Sequence, residues 1–219
     1  MDWESAREVV EKVKKTGDVT IVCATKTVPA MVMNDIYDML GLSIVGENRV
    51  QELLSKYDEA NRCKSWHFIG QLQTNKVKYI IDKVDLIQSL DRLSLANEIQ
   101  RQAEKLKKVQ EVLVEVNMAG EDTKGGATPE TTLSFVEEIE KMKNIRVRGI
   151  MSVLPNLEDK ALLDGYYKRL YKLFDEVRRA KGESVSYLSA GMSGDWERAV
   201  GNGANMIRLG SILFGKRVY

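Results

Sequence analysis

The stretch VTIVCATKT, residues Val19–Thr27, decides the fold that this sequence predicts. Its apolar run is too short for a typical helix and rich in β-branched residues, which is typical of a strand buried on both faces. The run leads to a single lysine, Lys26, and a helix-like segment begins after Pro29. A lysine in partly apolar surroundings loses basicity and attacks carbonyl groups, so Lys26 is a candidate for Schiff-base chemistry. The alternative interpretation is that Lys26 only reaches solvent from the end of a strand.

Strand-like and helix-like segments alternate along the whole chain. An amphipathic helix over about residues 2–15 comes first, and eight strand-like segments follow, each leading into helical or turn-like sequence. This alternation indicates parallel strands joined by right-handed helical crossovers. Eight units in 219 residues favour an α/β fold of the closed (β/α)8 type, a TIM barrel, over a doubly wound sheet. No proline- or serine-rich linker divides the chain, so we predict a single domain over residues 1–219.

Two local signals predict where helices begin. Asp91 follows the fourth strand-like segment and is expected to cap the helix Leu93–Lys107. Thr128 and Pro129 are expected to open the helix after the fifth strand, because proline is favoured in the first helical turn.

Composition and charge exclude several classes of function. The formal net charge is +1, so no global field attracts nucleic acid or an anionic membrane. No apolar run is long enough to span a bilayer. The one histidine, His67, excludes a site with several histidine ligands, and the two cysteines show no metal or redox spacing. We therefore expect a cytoplasmic protein that binds no metal, no nucleic acid and no membrane.

Functional residues of such a barrel sit at the carboxyl ends of its strands. The polar residues expected there include Lys26 on the first strand, Asn48 after the second, His67 near the end of the third and Arg208 on the eighth. Because closure makes the first and eighth strands neighbours, Lys26 and Arg208 are expected to lie close together.

The last two loops, within LSAGMSGD and RLGS, are rich in glycine and serine. Backbone N–H groups beside hydroxyls suit a phosphate dianion, and phosphate sites recur after strands seven and eight of this fold. The alternative is that these glycines only permit tight turns. With Lys26 for an aldehyde and Arg208 for a ring nitrogen, the loops complete a site for pyridoxal 5′-phosphate. The predicted phosphate contacts are Gly191, Met192, Ser193, Gly194, Gly210 and Ser211.

Six segments carry a resemblance to a known family. They are ATKTVP, VGENRVQE, WHFIGQLQTNK, GIMSV, LSAGMSGDWERAV and IRLGSILFG, in this order. Together they resemble the YggS/PROSC family of pyridoxal phosphate homeostasis proteins, from about Val19 to Gly215. The resemblance implies a fold similar to the barrel domain of alanine racemase and ornithine decarboxylase. It also implies that Lys26 carries the cofactor as an internal aldimine.

The same resemblance implies roles for the last two strands. Ser193, Gly210 and Ser211 would contact the phosphate, and Arg208 would lie at the pyridine nitrogen. Some positions depart from the commoner family pattern. They are Ala24-Thr25 in place of a Val-Ser pair, Val45 in place of Phe and Gly125 in place of Ser. The first could alter a hydroxyl contact near the aldimine, and none removes a proposed cofactor contact.

The roles of three further residues have more than one interpretation. Asn48 is expected to orient the cofactor rather than to react. His67 is expected to have a structural or cofactor-positioning role, and the alternative is that it is an acid or base of a racemase. Lys124, in a glycine-rich loop, is either a solvated lysine or a second amine that helps to move cofactor on or off.

An arginine at the ring nitrogen bears on catalysis. Arginine only donates hydrogen bonds, so the nitrogen stays unprotonated and the ring is a poorer electron sink. We therefore expect a non-catalytic, monomeric protein that stores pyridoxal phosphate and passes it to enzymes that lack their cofactor. One alternative is an amino-acid racemase, which needs an acid or base on each face and in related enzymes draws on a second domain for which this chain lacks room. Another is a barrel aldolase that uses Lys26 on a sugar phosphate.

Overall fold

Eight parallel strands pair in chain order and close on themselves, since β1 pairs with both β2 and β8. The structure, a computed structural model, describes residues 2–120 and 125–215. The predicted (β/α)8 barrel in a single domain is confirmed, and its extension to residues 1, 121–124 and 216–219 stays a prediction. The strands are β1 (Thr20–Ala24), β2 (Ile44–Glu47), β3 (Ser65–Phe68), β4 (Leu86–Leu90), β5 (Gln110–Glu115), β6 (Ile145–Met151), β7 (Tyr187–Met192) and β8 (Met206–Leu209).

Helices surround the barrel, and α1 precedes the first strand as an extra element. The Asp2 carboxylate caps α1 by accepting a hydrogen bond from the backbone N–H of Ser5. Gly41, in the left-handed region with φ of 69°, ends α2. The helices are α1 (Trp3–Lys15), α2 (Ala30–Leu40), α3 (Val50–Lys56), α4 (Val77–Ile80), α5 (Leu93–Lys105), α6 (Thr132–Glu140), α7 (Lys160–Lys181), α8 (Trp196–Gly201) and α9 (Ser211–Phe214).

Both faces of β1 are buried, which explains its continuous apolar run. Cys23 faces the core between the strands and the helices, and Val22 faces the barrel interior. The interior cluster, which we call the inner apolar layer, consists of Val22, Leu86, Leu113, Met151 and Met206.

A polar layer lies above the inner apolar layer, toward the carboxyl ends of the strands. Gln88, Glu115 and Arg208 come two positions after Leu86, Leu113 and Met206, and side chains two positions apart on a strand share a face. Ser189 likewise comes two positions after Tyr187, which packs against the apolar cluster. His67 makes a hydrogen bond to Gln88 and completes the group. We call these five residues the inner polar layer.

Two predicted helix starts are wrong. The N-cap residue of α5 is Arg92, and the Asp91 carboxylate instead pairs with the Arg92 guanidinium at 2.5 Å. The helix predicted to open at Thr128 and Pro129 begins at Thr132. The helix begins later in the sequence because the Thr128 and Thr131 hydroxyls accept hydrogen bonds from each other's backbone N–H groups and stabilise a turn.

Two expectations concern membranes and metals. Across residues 2–120 and 125–215, no helix combines the length and the apolar character needed to cross a bilayer. The same residues contain no group of three or more histidine, cysteine or acidic side chains arranged to hold a metal ion. Cys23 and Cys63 are both free thiols.

We predict that Gly149→Ala on β6 destabilises the barrel strongly. Gly149 has φ of 154°, and an added Cβ would overlap the Tyr187 carbonyl on β7. The expected loss in the free energy of unfolding is about 3 kcal/mol. Gly165→Ala in α7 is the matched control, because nothing lies within 4 Å of its added Cβ, and it should stabilise by about 0.5–1 kcal/mol. Urea unfolding measures both, and equal stabilities of the two variants would contradict the prediction.

Candidate functional site

Lys26 lies two residues beyond the end of β1 and is half-buried. Pairing of β1 with β8 sets Val22 opposite Arg208, so Lys26 emerges at the same end of the same strand pair as the predicted cation. Within the part of the chain that the structure describes, the Lys26 amine takes part in no hydrogen bond or ion pair. The amine is therefore available to a ligand at this end of the barrel.

Arg208 is a buried cation with an exposed fraction of 5%. Its Nη1 donates to the Ser189 hydroxyl at 2.6 Å, and its Nη2 donates to the Ser152 carbonyl at 2.9 Å. Burial lowers the pKa of Arg208, whereas the nearby Glu115 carboxylate acts to raise it. A guanidinium has five N–H donors, so these two contacts leave donors for a further acceptor.

A directed chain of hydrogen bonds joins Arg208 to His67 across the inner polar layer. Since arginine only donates, the Ser189 hydroxyl accepts from it and donates to Gln88 Oε1 at 2.7 Å. Gln88 Nε2 then donates to His67 Nδ1 at 3.0 Å. Burial lowers the pKa of His67 to about 4. His67 is therefore neutral at pH 7, with its proton on Nε2.

The loops after β7 and β8 are joined through one hydroxyl. The backbone N–H groups of Gly210 and Ile212 both donate to Ser193 Oγ, at 3.1 and 3.3 Å. Gly191, with φ of 93°, is required here because a Cβ would lie 2.5 Å from the Ala199 Cβ. Convergent N–H donors beside a hydroxyl are the groups that bind phosphate oxygens. Ser193 is half-buried, and the other predicted contacts Met192, Gly194 and Ser211 are exposed.

Asp195 fixes the shape of the loop after β7. One of its carboxylate oxygens accepts from the Met192 N–H at 2.7 Å, and the other accepts from the Tyr167 hydroxyl at 2.6 Å. Burial, followed by the hydrogen bond to Asp195, raises the pKa of Tyr167. The loop that carries Ser193 is thus held against α7.

Asn48 lies at the barrel mouth directly after β2, the strand that pairs with β1. It is half-buried and borders a hollow of about 210 Å³ that Arg49, Gln71 and Lys76 also line. Glu47, just before it, is fully buried in an ion pair with Lys56. Lys124 lies outside the described residues.

Glu115 is a site residue that sequence reasoning missed. It belongs to the inner polar layer, and its pKa is raised to about 6 by burial and by the Asp91 carboxylate, with the Arg208 charge opposing. Gln88 and Tyr167 were missed as well. Their positions along the strands could have revealed Gln88 and Glu115, because each comes two residues after an apolar residue that faces the barrel interior.

The groups that meet on β7, β8 and β1 fit a phosphorylated aldehyde with a basic ring nitrogen. Lys26 offers an amine with no partner among the described residues, Gly210 and Ser193 lie among donors for a phosphate, and Arg208 offers N–H donors to a ring nitrogen. Asn48 follows β2, which neighbours β1, and His67 is joined to Arg208 through the hydrogen-bond chain.

Known sequences resemble this chain over almost its whole length. Residues 4–218 match the family described as alanine racemase, N-terminal domain. A pyridoxal phosphate homeostasis protein of Aquifex aeolicus is 43% identical over 225 residues, covering 99% of this chain and 98% of that protein. A protein of the same name from Pasteurella multocida is 31% identical, covering 99% of this chain and 94% of its own length.

Solved structures share the fold. PipY from Synechococcus elongatus, with PLP bound, has a TM-score of 0.87 at 27% identity, covering 96% of this chain and 100% of PipY. Alanine racemase of Clostridium difficile, in complex with cycloserine, has a TM-score of 0.78 at 16% identity, covering 99% of this chain and 60% of the racemase. At that identity the likeness to the racemase concerns the barrel alone.

We predict that Glu115→Gln changes stability in a pH-dependent way. Burial raises the pKa of Glu115 from its ordinary 4.5 to about 6, a shift equivalent to about 2 kcal/mol. Because the folded-state pKa is the higher one, the carboxyl supports the fold fully below about pH 4.5 and loses that contribution as the pH rises through 6. In cofactor-free protein, Gln should therefore raise the free energy of unfolding by up to about 2 kcal/mol more at pH 8 than at pH 4.

Urea unfolding at pH 4 and pH 8 measures this difference. Glu111→Gln on the same strand is the control, because its side chain is 40% exposed and pairs with Arg148 at the surface. Parallel pH dependence in the two variants would contradict a desolvated Glu115 carboxyl.

Proposed function

Because this chain belongs to the alanine racemase N-terminal domain family and, within it, to the pyridoxal phosphate homeostasis proteins, we propose that it binds pyridoxal 5′-phosphate, stores it and delivers it. In this proposal Lys26 holds the cofactor covalently, and the chain is a carrier rather than an enzyme. The recipients are enzymes that need the cofactor and lack it. PipY, which is 27% identical and has PLP bound in its structure, supports cofactor binding by this chain.

One observation carries the proposal. The Lys26 amine, which has no partner among the described residues, emerges beside the strand that bears Arg208 and leads into Gly210. The cofactor's aldehyde condenses with amines, forming a C=N bond with loss of water. An amine already engaged in an ion pair would first have to break that contact. Lys26 needs no such step.

The surrounding residues bind and orient. The N–H groups of Gly210 and Ile212, with the Ser193 and Ser211 hydroxyls, supply donors for the phosphate. Met192 and Gly194 border it in the same loop, and this loop is held in place by Asp195.

A further set of residues would act on the cofactor ring. Arg208 would donate to the ring nitrogen, and Asn48, after the neighbouring strand β2, would orient the ring. His67, neutral and bound through Nδ1, would act as a positioning group.

The protonation states of the site favour a carrier over a racemase. A racemase needs proton-transfer groups on both faces of its substrate. His67 is neutral at pH 7, and the Tyr167 hydroxyl is bound to Asp195 with its pKa raised by burial. If the chain were a racemase, Glu115 would be a candidate for the acid or base. Turnover of amino acids from a test panel at a rate well above that of free cofactor, with loss of this activity in Glu115→Gln, would contradict the carrier proposal and support a racemase.

Location and assembly belong to the same proposal. A cytoplasmic protein agrees with the free thiols of Cys23 and Cys63, because oxidising compartments favour disulfides. We also propose a monomer, since a barrel that closes on itself leaves no unpaired strand edge to cover.

We predict that Lys26→Ala abolishes covalent attachment and leaves the barrel folded. Purified wild-type protein should show an absorption band near ~420 nm, which borohydride converts into a stable link that peptide mapping assigns to Lys26. Lys26→Ala should lack both while keeping its unfolding transition, because the amine makes no hydrogen bond or ion pair with the described residues.

The control is Lys76→Ala, which removes another half-buried lysine at the same end of the barrel. It should retain the band. Covalent cofactor on another lysine in Lys26→Ala would contradict the assignment. Wild type that stays colourless with added cofactor, yet is trapped by borohydride with dihydroxyacetone phosphate, would favour the aldolase alternative.

We predict that Ser193→Ala and Ser211→Ala weaken cofactor retention. Each removes a hydroxyl that would bind the phosphate dianion, with an expected loss of roughly 1.5–3 kcal/mol at most. Equilibrium dialysis measures the affinity. Ser134→Ala, an exposed serine on α6, is the control. Unchanged affinity in the double variant would mean that backbone N–H groups alone hold the phosphate.

A further inference from the structure

The backbone around Lys26 is held in an unusual conformation. Thr27, a β-branched residue, has φ of 63°, in the left-handed region that β-branched residues rarely adopt. Such a conformation persists only where surrounding contacts impose it. The segment Thr25–Thr27 must therefore be fixed by groups outside itself.

Lys56 supplies one of these contacts. It is the last residue of α3, and its exposed fraction is 9%. Its ammonium donates to the Thr25 carbonyl at 3.0 Å, to Glu47 Oε1 at 2.7 Å and to Glu52 Oε2 at 3.2 Å. These three acceptors match the three N–H donors of an ammonium group.

The two carboxylates bound by Lys56 hold the rest of the segment. Glu47 Oε1 accepts from the Thr25 hydroxyl at 2.8 Å, and Glu52 Oε2 accepts from the Thr27 N–H at 2.7 Å. Both neighbours of Lys26 are thus tied to one charged cluster, which we call the Lys56 clamp (Glu47, Glu52 and Lys56). The Lys26 amine itself lies outside these contacts.

The clamp depends on its cation. Burial raises the pKa of Glu47, and the hydrogen bond and charge of Lys56 oppose that rise. Glu47 Oε2 is buried with no hydrogen-bond partner among the described residues, so Oε1 carries the contacts of this carboxylate. Removing Lys56 would leave a buried carboxyl that gains a proton and loses its hold on Thr25.

We propose that Lys56 is a positioning residue that sets the reactivity of Lys26 by fixing the backbone on both sides of it. The inference rests on the proposed covalent role of Lys26. It concerns the step in which the amine nitrogen bonds to the aldehyde carbon and the aldehyde oxygen leaves as water. The clamp makes no hydrogen bond or ion pair with Ser193 or Gly210, the residues proposed to bind the phosphate. Initial association of the cofactor should therefore not depend on the clamp.

Stopped-flow absorbance tests the proposal with the full chain and pyridoxal 5′-phosphate. The dependence of the rate on cofactor concentration separates the initial association constant from the first-order step of bond formation. Lys56→Met should slow bond formation at least tenfold and leave the association constant within twofold. Lys56→Arg, which keeps the positive charge, should restore at least part of the lost rate.

Lys108→Met is the matched control. Lys108 is also half-buried and donates to two carbonyls, those of Ile81 and Val84, but at the opposite end of the barrel. It should lose stability and keep both kinetic constants. If Lys56→Met does not fold, Lys56→Gln makes the same comparison, because it removes the positive charge and keeps a side chain that can donate a hydrogen bond to the Thr25 carbonyl or to Glu47.

The outcomes separate the inference from the function on which it rests. Wild type that forms no bond at Lys26 overturns the proposed function itself. Wild type that forms the bond, with Lys56→Met or its substitute equally fast, overturns the role of Lys56. Equal losses in association and bond formation, with no rescue by arginine, would also overturn it, because they would indicate a general structural defect.

Discussion

Pairing of β1 with β8 is the constraint on which the site depends. It joins the first strand to the last and sets Val22 opposite Arg208, so residues separated by most of the chain become neighbours. In an open sheet the Lys26 segment and the Gly210 loop would lie at opposite edges. Closure also leaves no unpaired strand edge, so the irregular backbone of the barrel lies in the segments that connect strands and helices at its two ends.

A cation buried inside the barrel orders the polar groups around it. Taking a charge out of water costs several kcal/mol unless it is well paired. Arg208 meets this cost with Ser189, the Ser152 carbonyl and the charge of Glu115. Because arginine only donates, each later hydrogen bond toward His67 has a fixed direction. One buried guanidinium therefore fixes which ring nitrogen of His67, three hydrogen bonds away, accepts a hydrogen bond.

The two halves of the site are held by different physical means. The loops after β7 and β8 are fixed by hydrogen bonds to the Ser193 hydroxyl and to the Asp195 carboxylate. The Lys26 segment is fixed by the buried ion pair of Lys56 and Glu47 together with Glu52. These opposite charges strengthen the hydrogen bonds around Thr27, which is held in a strained conformation.

The sequence alone determined the barrel, the strand that ends before Lys26 and the extra first helix, α1, because apolar periodicity is a local property. Local signals failed at Asp91, whose carboxylate pairs with its neighbour's side chain rather than capping the helix. Only the tertiary structure decided which polar residues face the barrel interior, since strand alternation fixes two faces but closure decides which is inside. It also decided the Lys56 clamp, because its contacts join the end of β2 and the helix α3 to the segment after β1, and nothing in the sequence relates these separate elements.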